Sequence, residues 1–594
     1  MAALLRGFCL ASLFVLGNVF SPVSGQDRPK AVKTPPKKAS TRVAARPTGP
    51  TTTAPGGLEH RWVYLKLNLQ VDESADKAID IARRAAAAGY NGIALADYKL
   101  NVLDRVPDRY FRNVARFKQV CDELGLEIVP CVASFGYSEG IYTHNANLME
   151  GLPARDMPLR VKGGFARAEG TSHPQLRGTF EEAKGDQFSG WSFQDAPGEA
   201  TFRDTQVKRS GESSLRIGNP SGQRAKQLRI SKNLNVRKFT QFHMSAWIKT
   251  EGLSNHSNLR LFALGADGRV LAHQNIGAKA TQDWTRHDVM FNSLENEALH
   301  VYVGVWGETK GQAWVDDMTC VEAPFVNLVR RTGCPVELKT KSGRALKEGR
   351  DYETVVDQRM HQRLAEGVFE VAGEPPAVKL LPAAKLADGD VVLASYHHAV
   401  SIYDGQVPAS LSEEESFEVV RKQLVAVKKL LDPKRMFLSH DEIRVANWSA
   451  TEMAADRTAG ELLAENVRRC EKLCREVQPG VDLCIWNDMF DPHHNAKAPP
   501  FYLVRGTLEG SWEGLSRETV IINWNQQNAK SAKFFADRGH SQILAGYYDA
   551  PVGQIRDWLD QTKGMNVTGV MYTTWQDNYG ELEAFAKAAW GAGK

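Results

Sequence analysis

Two textures follow one another along this chain, and their order restricts its architecture more than any other feature. From Trp62 to about Ser134, strand-like and helix-like runs alternate: WVYLKLNL, an Ala/Arg-rich segment from Ser74 to Gly89, GIALAD, a helical stretch around Tyr110 to Leu124, and EIVPCVAS. Alternation at this spacing predicts parallel βα units. From about Phe180 to Val321 the helices vanish. Short runs such as SSLRI, FHMSAWIKT and HVYVGVWG are separated by Gly, Asn, Ser and Asp, which predicts an antiparallel β-sandwich. From Val391 the first texture returns, with VVLASYHH, MFLSHDEI, DLCIWNDMF, TVIINW, QILAGYYD and VTGVMYTTW as strands between helical segments. That makes nine strand candidates for a closed barrel that needs eight. VVLASYHH is the surplus one and is assigned to an accessory sheet, so MFLSHDEI becomes the fourth barrel strand. The predicted fold is α/β: a (β/α)₈ TIM barrel interrupted by an inserted β-sandwich and a small accessory β segment.

At 594 residues the chain is too long for one core. Residues 1–25 carry Arg6, an apolar stretch to Phe20 and small residues before Gln26, the layout of a signal peptide. Residues 26–57 are rich in Lys, Arg, Pro and Thr and read as a disordered basic linker. The first barrel part with strands one to three follows over 58–175, the sandwich over 176–323, the accessory region over 324–390 and the second barrel part over 391–594. A formal charge of +4, with much of the excess in the linker, gives no reason to expect a nucleic-acid partner. No later run is long enough to cross a bilayer, so the expectation is a secreted or periplasmic protein without stable membrane insertion. The cysteines beyond Cys9 lack CxxC spacing and read as buried thiols rather than a disulfide framework.

In a barrel of this type the active site lies at the carboxyl ends of the strands. Those ends carry Asp97, Tyr137, His440, Asp441, Glu442, Trp486, Asp488 and Asp491, then Trp524, Tyr547, Tyr548, Asp549, Trp575 and Asp577. Carboxylates set between Trp and Tyr suit a sugar, whose C–H faces stack on aromatic rings and whose hydroxyls bond to acids. The tandem pair Asp441-Glu442 is unusual. Ordinary glycosidases hold two carboxyl groups roughly 5–10 Å apart across the scissile bond, which adjacent residues do not easily do. Either one acid has a distant partner, such as Asp488 or Asp577, or the substrate's own 2-acetamido group is the nucleophile. In the second case one acid protonates the leaving oxygen and its neighbour orients the amide. A third reading has Asp441 capping a helix that starts at Glu442.

The motifs FLSHDEI, IWNDMF, VIINW, AGYYD and MYTTWQD resemble, in that order, the active-site strands of the glycoside hydrolase family 20 β-N-acetylhexosaminidases. The resemblance implies a retaining, substrate-assisted hydrolase that removes β-linked N-acetylhexosamine from glycans and needs no cofactor. It implies Glu442 as general acid/base, Asp441 as the holder of the acetamido nitrogen and Tyr548 as donor to the acetamido oxygen. Trp486, Trp524 and Trp575 become pocket walls, and Asp577 a ligand of sugar hydroxyls. Asp97, Asp488 and Asp549 are further substrate-binding candidates. The family's strand-one Arg is missing; YLKLNL offers Lys66 or Asn68. The third strand reads PCVASFGY instead of the family's Pro-Glu and Gly-His pattern. A conventional carboxylate nucleophile, or a non-catalytic glycan-binding protein, are the alternatives. The sandwich, with SGESSLRI and AWVDDMTCVEA, resembles carbohydrate-binding jelly rolls, and its Asp316 and Asp317 could hold a structural Ca²⁺.

Overall fold

The structure is a computed structural model that describes residues 57–168, 175–218, 227–361, 371–403, 405–526 and 528–591. The signal-peptide segment and all of the linker but Gly57 lie outside the described residues. Eight parallel strands close into a barrel. They are β1 (His60–Leu65), β2 (Gly92–Leu95), β3 (Glu127–Val132), β4 (Arg435–Leu438), β5 (Asp482–Trp486), β6 (Val520–Asn523), β7 (Gln542–Tyr547) and β8 (Val567–Thr573). MFLSHDEI does begin the fourth of them. Helices pack outside. Asp72–Ala87 has acids in its first turn and Arg84 in its last, both favourable to the helix dipole. Ala459–Val477 opens on a capping box made by Thr458 and Glu461. Asp108–Leu124 stops at Gly125, whose φ of +67° is left-handed.

Side chains alternate along each strand between the barrel interior and the helix layer. Trp62, Tyr64, Phe437, Trp486, Ile522 and Met571 fill the interior. The helix-facing set includes Leu438, Ile485, Leu544 and Tyr572. This alternation decides which residue beyond each strand end faces the mouth.

Between β3 and β4 the chain builds three further large sheets and a two-stranded one, Ala183–Lys184 with Gln187–Phe188. Two of them face each other as the sandwich. One runs Thr201–Asp204, Ser214–Gly218, Gln312–Glu322, Gln241–Glu251, Gln282–Asn292, with Leu176–Gly178 beside Gln312–Glu322. The other runs Val270–Asn275, Leu259–Gly265, Ala298–Trp306, Gln227–Asn235, Phe193–Gln194. The third sheet pairs Val391–His398 with Leu152–Lys162 and adds five short strands. Those two long strands therefore lie outside the barrel although the sequence puts them near its two segments. The sandwich is anchored to the barrel by Trp448, which joins the sandwich core and donates from Nε1 to the Leu503 carbonyl at 2.5 Å. Among the described residues, no helix is long and apolar enough to cross a membrane.

Candidate active site

β4 continues past Leu438 because Ser439 bonds to β3 on both sides: its N–H to the Val132 carbonyl at 2.8 Å, its carbonyl from the Phe135 N–H at 3.1 Å. Continued alternation turns His440 into the helix layer, where its Nε2 meets Asn466 Oδ1 at 2.8 Å, and turns Asp441 toward the barrel mouth. His440 is thus a packing residue, and burial holds its imidazole down at about 4. Gly136 presses on this turn: a Cβ there would lie 1.5 Å from the Asp441 carbonyl oxygen. No helix starts at Asp441, so the capping reading falls.

Glu442 follows in a left-handed conformation, φ +47°. Non-glycine residues seldom adopt it, and they persist there when neighbours over-determine them. Here the Glu442 N–H donates to Asp488 Oδ2 at 3.0 Å and its carbonyl accepts from Gln406 Nε2 at 2.7 Å. The swing carries the side chain away from Asp441. Glu442 Oε2 accepts from the Tyr137 hydroxyl at 2.7 Å and pairs with the Arg444 guanidinium at 2.6 Å. Arg444 is buried, bonded to Gln406 Oε1 at 2.9 Å, and lies over the Tyr403 ring at 4.1 Å. Burial opposes the charge on Arg444 most strongly, but Glu442 together with Tyr137 and Tyr502 outweighs it, and the guanidinium is held well above its ordinary value.

The other two acids behave differently. Asp441 meets no hydrogen-bond partner among the described residues, and burial, then the charges of Asp488 and Glu442, push its carboxyl well above the ordinary range. Asp488 is fully buried, and burial followed by Glu442 raises it to about 7. Its Oδ2 also accepts from Asn495 Nδ2 at 3.1 Å, while Oδ1 has no partner. The indole nitrogens of Trp524 and Trp575 and the Nδ1 of His494 are buried without a partner in hydrogen-bond geometry as well, although Trp524 stands near enough to Asp488 to draw its carboxyl down somewhat. Buried polar atoms are normally satisfied. Orphans grouped at the end of a barrel mark a place that a polar ligand completes.

The rings form a box around them. Tyr548 lies parallel to Trp524, 5.9 Å apart at 12°, and edge-on to Trp575 at 5.7 Å. Tyr64 meets Trp575 at 5.7 Å and Trp486 at 5.6 Å. Trp486 is a buried floor; Trp524, Tyr548 and Trp575 are half-buried walls. Tyr548 and Asp577 are again left-handed, φ +47° and +55°. Burial, then Asp441, keeps the Tyr548 hydroxyl protonated. Lys66 donates to the Trp575 carbonyl at 2.7 Å and pairs with Asp577 at 3.5 Å, so these two form a charged rim beside the box.

Three candidate acids are committed to the backbone instead. Asp97 accepts from Leu69 N–H and Lys99 N–H, both at 3.0 Å, and caps the turn after β2. Asp549 accepts from Thr574 Oγ1 at 2.6 Å and from the N–H groups of Trp575 and Gln576 at 2.8 and 3.2 Å. Asp491 holds Asn487 Nδ2 and the His493 N–H, each at 2.8 Å. Asp549 shapes the loop bearing Trp575; Asp97 and Asp491 brace their own loops.

Asp316 and Asp317 do not fit a Ca²⁺ site. Asp316 accepts from the N–H groups of Arg209, Ser210 and Asp317, at 2.9, 3.1 and 2.8 Å. Asp317 pairs with the Arg209 guanidinium and accepts from Ser210 Oγ. The arginine supplies the positive charge a cation would bring. Among the described residues no group of three or more His, Cys, Asp or Glu side chains could hold a metal.

The sequence passed over Gln406, Tyr403, Tyr502, His494 and Asn495. Of the cage around Glu442, the sequence singled out only Tyr137, which donates to it, while Arg444, two residues on, was open to the same local reading.

No protein-family model matches the chain, and no curated protein matches it. Among solved structures it is similar to an inactive variant of the family 20 exo-β-N-acetylglucosaminidase of Vibrio harveyi (15% identity, 32% of this chain and 33% of that chain, TM-score 0.24). It is also similar to a family 16 carbohydrate-binding module (18% identity, 25% and 100%, TM-score 0.18) and to a rhamnosidase from a Novosphingobium species (9% identity, 88% and 55%, TM-score 0.30). The chain spans a third of the length of the first and about half of the last.

Proposed function

We propose that the protein is a glycoside hydrolase that cleaves β-linked 2-acetamido sugars with assistance from the substrate's own acetamido group. The observation that carries this is the aromatic box with its unpartnered polar atoms. Trp524, Tyr548 and Trp575 enclose a space beside Asp441, whose carboxyl meets no protein donor. An acetamido group fits that need: its methyl takes the aromatic faces, its N–H meets Asp441 and its carbonyl accepts from Tyr548.

Glu442 is ion-paired with Arg444, while burial and neighbouring charge favour the protonated forms of Asp441 and Asp488. As the acetamido oxygen attacks the anomeric carbon, positive charge grows on the amide and favours ionised Asp441. Glu442, once it carries a proton in the bound complex, gives it to the leaving oxygen as the C–O bond breaks, and it recovers a proton from the water that opens the cyclised intermediate in the second step. The stabilisation exists only in the transition state, where it raises turnover.

A second reading is favoured by one feature. A carboxylate held by Arg444 and Tyr137 also suits a direct nucleophile, with Glu442 attacking the anomeric carbon itself. Azide rescue of Glu442→Gln separates the two. A β-glycosyl azide identifies the lost group as acid/base, and an α-glycosyl azide identifies it as nucleophile. The first experiment is hydrolysis of a 4-nitrophenyl 2-acetamido-2-deoxy-β-glycoside with a thiazoline inhibitor. The absence of both turnover and inhibition would overturn the acetamido assignment.

Export is part of the proposal and is supported by the layout of residues 1–25. The N-terminal sequence of protein recovered outside the cytoplasm tests it.

A further inference from the structure

We propose that the outward face of the sandwich's five-stranded sheet continues the catalytic cleft and binds the leaving-group side of a glycan several sugars long. The proposal rests on the glycosidase reading for its direction, because the tandem acids separate the aromatic box from this face.

The continuity begins at Arg444. One side of its guanidinium holds Glu442; its flat face lies over Tyr403 at 4.1 Å and near Tyr502 at 5.1 Å. Those two rings meet at 6.0 Å, and His273 of the sandwich approaches Tyr403 at 4.9 Å and lies nearly parallel to Tyr502 at 6.5 Å. From His273 the file runs across the sheet. Phe262 is 5.4 Å away, and Trp306 and Tyr302 lie 5.6 and 5.8 Å beyond it. Arg229 spans the last gap, 5.6 Å from Trp306 and 5.7 Å from Phe193.

Strand alternation shows that this file is not a core. Leu259, Leu261 and Ala263 on one strand, and Val301, Val303 and Val305 on the next, fill the sandwich interior. Phe262, Tyr302 and Trp306 therefore stand on the opposite face, partly buried, and Phe193 at the far edge is 44% exposed. The solvent face of an antiparallel sheet is ordinarily polar. A connected row of partly accessible rings there, ending in the exposed Phe193, marks a binding surface. Its chemistry is that of a sugar chain: ring faces for C–H stacking, with Arg229 beside them for hydroxyls and the buried Arg260 bracing His273 from beneath. The sandwich is also fixed relative to the cleft, since Gln274 Nε2 donates to the Ser401 carbonyl in the loop that carries Tyr403.

The test compares two substrates in the full chain. An aryl monosaccharide glycoside reaches only the box; a hexasaccharide of β-1,4-linked N-acetylglucosamine reaches the file. Tyr302→Ala and Trp306→Ala should leave kcat/KM on the aryl glycoside unchanged and lower hexasaccharide kcat/KM and affinity about tenfold each. Phe193→Ala should weaken the hexasaccharide and spare a disaccharide. Intrinsic fluorescence titration with the hexasaccharide reads binding without turnover. No hexasaccharide binding by the wild type, or equal loss on both substrates in the variants, would overturn the proposal. Failure to cleave the aryl glycoside would count against the catalytic reading alone, and the titration would still judge the sheet face.

Discussion

Asp97 and Asp488 look alike by the usual signs. Each ends a barrel strand, each is buried, and burial raises each carboxyl, to about 6 and about 7. They differ in what their oxygens meet. Both oxygens of Asp97 accept backbone N–H groups, while Asp488 keeps Oδ1 open and shares its electrostatics with Glu442. The contrast extends to their halves of the mouth. At the β2 end the acid ties loops together. Past β4 and β5 the acids are left partly unmet, next to a residue held in a costly backbone conformation. Burial and a raised pKa do not by themselves mark a catalytic acid; an unfilled hydrogen-bonding capacity does so better.

The largest effect should come from the catalytic side. Glu442→Gln should lower turnover per folded molecule ~10²–10⁴-fold, and it should also lower the melting temperature, because the buried Arg444 loses its ion-pair partner. A variant with near-normal turnover on an unactivated glycoside would remove the β4 end from the chemistry. Asp441→Asn should lower kcat about 10²–10³-fold, weaken ground-state binding far less and lose most thiazoline inhibition. A silent Asp441→Asn would end the substrate-assisted account.

Asp97→Asn should reverse the pattern. Losing one acceptor of backbone N–H groups should cost ~1–3 kcal/mol of stability and leave turnover per folded molecule near normal. Urea unfolding together with active-site titration checks this; a stable but inactive variant would break the comparison. The pH dependence sharpens it further. A carboxyl raised on folding keeps a proton that the unfolded chain gives up, so its contribution is present at low pH and declines as pH rises. The decline should run from the ordinary 3.8 to about 6 for Asp97, and on to about 7 for Asp488. Melting temperatures across this range should show the segment between about 6 and 7 flattened by Asp488→Asn and retained in Asp97→Asn. The smallest effect concerns the sandwich. Chelation by EDTA should leave its melting unchanged, because Arg209 pairs with Asp317 and three backbone N–H groups hold Asp316; a marked drop would restore a cation there.

The sequence determined the elements. Hydrophobic periodicity is a local property, so the eight barrel strands, the strand-only insertion and the identity of the residues past each strand end were all legible in it. It also made the surplus of VVLASYHH visible, though not its partner, because Val391–His398 pairs with a strand some 240 residues away. What it could not supply was which acid would be spent on what. Asp97, Asp549 and Asp491 carry the same side chain as Asp441 and Asp488. Only the path of the loops put donors beside the first three and none beside Asp441. The aromatic cage of Arg444 likewise draws on Tyr137, Tyr403 and Tyr502, which lie far apart along the chain. Chemical type and strand position are written residue by residue. Hydrogen-bond satisfaction depends on neighbours brought together by folding, and at this site it separates the structural acids from those left open to a ligand.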